Sequence, residues 1–255
     1  MLILLKKEKI ISYLITICII IMLFVAGNFM PVENETMQTS AKTSKDLPIY
    51  SVETNENKVA LTINCAWTND DIEDILQTLK SNNCKATFFL VGDWIDKYEE
   101  SVKMIYENGH EIANHSNTHS HVGSLNLEKN IEEIKLAADK IEKLTGKRSN
   151  LYRGPYGEYN DTVLKAAKEQ SHTMIQWSID SLDYNDLTCD EMLERIEPNL
   201  KNGSIILMHS GAKNTASSLD KIIKTIQNKG YELVTVSDLI YEEGRVDNQG
   251  VQHSI

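Results

Sequence analysis

The chain has 255 residues and a formal net charge of −11. That length allows one core of moderate size plus extensions. The acidity excludes bulk nucleic-acid binding, which needs a basic face, and leaves a polysaccharide ligand open.

Residues 10–29, opening on Ile10 and closing on Phe29, are apolar and uncharged, and Lys6, Lys7 and Lys9 precede them. About 20 such residues span a bilayer, and the basic flank favours the cytoplasmic side. Residues 1–30 are therefore expected to be a membrane anchor, with the rest of the chain outside the cytoplasm. The competing expectation is secretion after cleavage of a signal peptide, whose apolar core runs only about 7–15 residues. Residues 31–57 are polar and read as a tether. Cys18 lies in the apolar run, and Cys65, Cys84 and Cys189 lie in the body. Three exported cysteines cannot all pair, so no disulfide framework is expected.

From residue 58 to 242, short apolar runs alternate with amphipathic stretches. The expected strands are 59–64, 86–91, 111–113, 151–153, 173–177, 204–208 and 231–236. Ile72, Ile75, Leu76 and Leu79 recur at helical spacing within 70–81, and similar patterns cover 127–144, 162–170 and 217–228. Thr188 and Glu191 have capping-box spacing and open a further helix. Such alternation implies parallel strands with crossover helices, as an open sheet or a barrel. Glycine-rich phosphate signatures are absent, which weakens a nucleotide-binding version. Residues 243–255 read as a frayed tail with an inert His253.

Reactive residues fall at the strand ends, where α/β folds build their sites. After the first strand come Asn64, Cys65, Trp67, Asp70 and Asp71. His115 and His119 lie in Asn-His-Ser-Asn-Thr-His, and two imidazoles at i and i+4 can share a divalent cation. Arg153, Pro155, Tyr156 and Gly157 follow the fourth strand. Asp180 and Asp183 follow the fifth, and Leu207 and His209 close the sixth.

Taken together these residues resemble the NodB-type polysaccharide deacetylases, carbohydrate esterase family 4, over residues 58–241. The resemblance rests on His115-Ser116-Asn117-Thr118-His119, Arg153-Gly154-Pro155-Tyr156-Gly157, Asp180-Ser181-Leu182-Asp183-Tyr184 and Leu207-Met208-His209. Ala66-Trp67 is similar to the sporulation-associated, clostridial-type branch. The resemblance implies a distorted (β/α) barrel of about seven parallel strands. It also implies a divalent metal, zinc or cobalt, and removal of N-acetyl groups from amino sugars of peptidoglycan or chitin-like chains. His115 and His119 would hold the metal, and His209 would protonate the leaving amine. Asp180 would keep His209 charged and oriented, and Arg153 would orient a carboxylate. Tyr156 would offer its backbone N–H to the oxyanion, while Pro155, Trp177, Tyr184 and Leu207 would line the substrate groove.

One motif departs from the family. Where relatives carry Thr-Phe-Asp-Asp, this chain has Thr62-Ile63-Asn64-Cys65. Asn64 cannot act as a base near neutral pH, although it can hydrogen-bond water. Cys65 could supply a thiolate ligand or simply fill the core. Asp70 could replace the missing carboxylate or open a helix. Two functions therefore stand: a deacetylase with weakened base chemistry, or a non-catalytic glycan-binding or scaffold domain.

Overall fold

A computed structural model describes residues 47–255. The expected membrane segment lies outside the described residues, as does the tether up to residue 46. Among the described residues no helix is long and apolar enough to cross a membrane.

The central strand, β2, is Lys58–Cys65. Successive side chains of a strand point to opposite faces. Val59, Leu61, Ile63 and Cys65 accordingly join one apolar cluster with helical residues such as Ile72, Ile75, Leu219 and Ile222. Ala60 joins a second cluster with Phe89, Ala113, Leu151 and Ile175. Burial on both faces explains why β2 reads as an almost continuous apolar run.

The other strands of this sheet are β3 (Thr87–Leu90), β4 (Glu111–Asn114), β5 (Leu151–Tyr152), β6 (Thr173–Met174), β7 (Ile179–Asp180), β8 (Ile205–His209) and β9 (Glu232–Val234). All pairings are parallel, in the order β6-β5-β4-β3-β2-β8-β7, with β9 paired to the start of β2. No pairing joins β6 to β7, so the sheet is a half-barrel of seven strands in its main path rather than a closed ring.

Among the described residues the α-helices are α1 (Ile72–Ser81), α2 (Gly92–Lys97), α3 (Glu99–Glu107), α4 (Leu127–Thr145), α5 (Asp161–Glu169), α6 (Cys189–Ile196), α7 (Thr215–Asn228) and α8 (Val236–Leu239). α4 starts where the Asn126 side chain accepts from Lys129 N–H, and stops at Gly146 in the left-handed region. The expected Thr188–Glu191 capping box is present at α6.

Three expectations change. The strand expected over 173–177 keeps only Thr173–Met174, because beyond it Gln176 N–H bonds to Ile49 O. The tether gives up its last residues to the fold, where β1 is Ser51–Val52. The expected frayed tail is a hairpin of β10 (Gly244–Val246) and β11 (Val251–Ser254), with β11 parallel to β1. His253 stands between Glu53 and Asp247, bonded to both. Strands of two to four residues carry too little periodicity to be read locally, and pairing across about 200 residues stabilises them.

Candidate active site at the strand ends

Parallel pairing sets Asn64 level with His209, and Leu90 level with Asn114. The C-terminal ends of β2, β4, β7 and β8 thus converge on a cavity of about 430 Å³. Its lining includes Asn64, Trp67, His115, His119, Tyr156, Trp177, Asp180, Tyr184, Leu207 and His209. Most of the expected residues are therefore brought together.

The histidine loop after β4 is tied down from α4. Glu133 Oε2 accepts from Ser116 Oγ at 2.5 Å, Asn117 N at 3.0 Å and Thr118 N at 2.8 Å, and Oε1 accepts from Thr118 Oγ1 at 3.0 Å. Ser116 and His119 both sit at positive φ, 70° and 57°, conformations that such a clamp can hold. Gly92 leaves room for the loop: a Cβ there would meet Asn117 Oδ1 at 2.3 Å.

His115 is buried and donates from Nδ1 to Arg153 O at 2.7 Å, which leaves Nε2 free to ligate. Its ring centroid lies 5.1 Å from that of His119. Burial, and then the neighbouring His119, hold His115 well below the usual imidazole range. Burial, and then His209, lower His119 as well. Both rings are therefore neutral at pH 7, the form a metal needs.

The third ligand is missing. Among the described residues no group of three His, Cys, Asp or Glu side chains is placed to hold a metal. Cys65 falls on the helix-facing side of β2, in the apolar core, where burial pushes its thiol up to about 12. Asp70 is exposed and does not line the cavity. Neither takes the role that the sequence left open for it. Asp71, at the N-cap of α1, makes no capping bond and instead accepts from Gly211 N–H at 2.9 Å. Two imidazoles alone do not meet the three protein ligands of catalytic zinc sites.

Arg153 departs from expectation too. It is wholly buried, and among the described residues no carboxylate bonds to it. Nη1 donates to Thr62 Oγ1 and Asn64 Oδ1, both at 2.9 Å, Nη2 donates to Gln176 O at 3.0 Å, and Nε donates to Ile175 O at 3.4 Å. The guanidinium also lies 3.9 Å from the Phe89 ring centroid. Burial lowers its pKa to about 9, so it remains charged at neutral pH. The carboxylate it was expected to orient is replaced by the amide of Asn64.

The carboxylate that pairs with His209 is a different aspartate from the one expected. Asp183 is fully buried, and its Oδ1 pairs with His209 Nδ1 at 2.9 Å. Its Oδ2 accepts from His209 N at 2.6 Å and Thr215 Oγ1 at 2.7 Å. Asp180 does not reach His209; it accepts from Leu182 N at 2.9 Å and Tyr184 OH at 3.3 Å. Leu182 at φ 55° turns the chain between the two carboxylates and swings Asp183 inward. Three residues apart, the two are indistinguishable by spacing alone. Trp67 stacks on the His209 ring at 5.3 Å, and Tyr184 meets its edge at 5.2 Å. Sequence reasoning missed Glu133 altogether. As one glutamate among several on α4, it gave no signal.

Comparison with known proteins places the chain in a family. The family model described as polysaccharide deacetylase matches residues 51–175. YlxY of Bacillus subtilis (strain 168) is 33% identical over 76% of this chain and 61% of its own length, so this chain spans about three-fifths of that relative. A peptidoglycan-N-acetylglucosamine deacetylase of Bacillus cereus is 33% identical over 72% of this chain and 69% of its own. Among solved structures, a CE4 family pseudoenzyme from Bacillus anthracis superposes with a TM-score of 0.74 at 32% identity, covering 83% of this chain and 74% of that one. A mutant of that pseudoenzyme is described as having restored enzymatic activity. With its half-barrel and these matches, the chain belongs to the polysaccharide deacetylase family, carbohydrate esterase family 4.

Proposed function

We propose that this protein takes N-acetylated amino-sugar chains of the cell wall into the cavity at its strand ends, and that deacetylation there is crippled. The reading rests on one observation above all. Asn64 stands where relatives carry the base, and its Oδ1 is occupied by the Arg153 guanidinium. An amide cannot accept a proton from water at neutral pH, and a general base contributes about 10²–10⁴-fold. The glycan ligand is supported by relatives named peptidoglycan deacetylases and by a cavity edged with aromatic side chains. The wild-type chain is expected to bind peptidoglycan oligosaccharides while releasing acetate at no more than about 1% of the rate of Asn64→Asp. Measurable acetate release from the wild type that Asn64→Asp does not raise would sink the reading.

A second reading, slow deacetylation, is favoured by the intact His209–Asp183 pair. His209 would hand a proton to the leaving amine while Asp183 holds the ring in place. Zinc is the metal this family reading implies, with His115 and His119 as its candidate ligands. Dialysed protein that releases no acetate at any zinc or cobalt concentration would remove it.

For location, the apolar residues 10–29 would hold the domain at the outer face of the cell membrane, next to the wall. Protease added to intact cells should then degrade the domain. Protection until lysis would overturn this placement.

A further inference from the structure

Tyr156 is held in a conformation that its own chemistry disfavours. Its φ of 58° and ψ of 12° lie in the left-handed region, and its large ring is 60% exposed at the cavity rim. Backbone strain combined with an exposed aromatic ring persists only where surrounding groups enforce it. Here they do. His121 stacks on the Tyr156 ring at 4.2 Å between centroids and 15° between planes. His119 meets the same ring edge-on at 4.7 Å. Glu158 in turn fixes His121, its Oε1 lying 2.6 Å from Nδ1, while Oε2 accepts from Gly123 N–H at 3.0 Å. Glu158 can sit there because residue 154 is glycine: a Cβ at Gly154 would lie 2.3 Å from Glu158 O.

We propose that the Tyr156 ring is a stacking platform for one pyranose of the glycan, and that Glu158 and His121 form the brace that aims it. This rests on the glycan reading above and deepens it, naming the side-chain face of Tyr156 as a contact and His121 as its positioning residue. An amino sugar presents a face of polarised C–H bonds, and an aromatic ring offers a negative face to them. His121 does not line the cavity, so it acts through Tyr156. An unbraced ring would spread over several rotamers and lose part of its stacking energy to ordering on binding.

The test is calorimetric titration of the detergent-extracted full chain with the hexamer of N-acetylglucosamine. Tyr156→Ala should weaken binding about tenfold and His121→Ala about three- to tenfold. His121→Phe keeps a flat ring and should return to within about twofold of wild type, while Glu158→Gln should fall between. Thermal midpoints within a few degrees of wild type separate aiming from unfolding. If wild type binds and His121→Ala binds equally well, the brace is wrong and the glycan reading survives. If His121→Phe stays as weak as His121→Ala, stacking is not the cause and the brace is overturned. If wild type does not bind the hexamer at all, the brace falls together with the glycan reading.

Discussion

The two sides of the cavity differ. At the ends of β7 and β8, His209 and Asp183 form a closed array in which every Asp183 oxygen has a donor. At the ends of β2 and β4 burial lowers both imidazoles and the Arg153 carbonyl fixes the tautomer of His115, but among the described residues no third ligand joins them, and the buried Arg153 faces an amide. The Asp183 array ties the His209 ring and backbone and the Thr215 hydroxyl into one buried unit. The other side has an amide and no carboxylate beside Arg153, and Asn64 Oδ1 accepts the hydrogen bond there. Packing and proton acceptance are thus separable at this position. An isosteric amide preserves packing and one hydrogen bond while removing the proton acceptor.

The contrast is sharpest between the two aspartates. Asp183→Ala strands the His209 and Thr215 donors in a buried site and should cost about 3 kcal/mol or more in urea unfolding. Asp180→Ala, at a partly exposed carboxylate, should cost under about 1 kcal/mol. Similar losses for both would erase the distinction. Next is Glu133→Gln, which keeps the shape of the clamp but weakens four charge-assisted contacts. It should cost about 2 kcal/mol and raise amide exchange through residues 116–118 relative to the β8 end. Unchanged exchange there would show that the loop holds itself.

A smaller effect separates Cys65 from ligation. With its thiol buried and shifted to about 12, native protein at pH 8 should alkylate at the half-buried Cys189 well before Cys65. Early loss of Cys65 would return it to the candidate ligands. The smallest effect lies far from the site, at the hairpin. Hydrogen bonds donated to the Asp247 and Glu53 carboxylates raise His253 above its ordinary pKa. A raised folded-state value means the contribution is complete below the unfolded pKa of about 6.5 and is lost as pH rises through the folded value. The gap in melting temperature between wild type and His253→Ala should therefore shrink from pH 6 to pH 9. A constant or growing gap would count against the clasp.

Much of this was readable in the chain itself. Apolar runs at 59–64 and 204–208 marked the buried parallel strands β2 and β8, and the helical spacing of Ile72, Ile75, Leu76 and Leu79 marked α1. The ordered motifs around His115, Arg153 and His209 marked the family and the site, since residue type and order carry that information locally. Tertiary structure decided the rest. Strand parity sent Cys65 to the core and left Asn64 in the cavity, and a left-handed turn at Leu182 chose Asp183 over Asp180. Glu133, the Glu158–His121 brace and the β1–β11 pairing join residues distant along the chain. Such partners leave no local pattern, because their roles come into being only when packing sets them side by side.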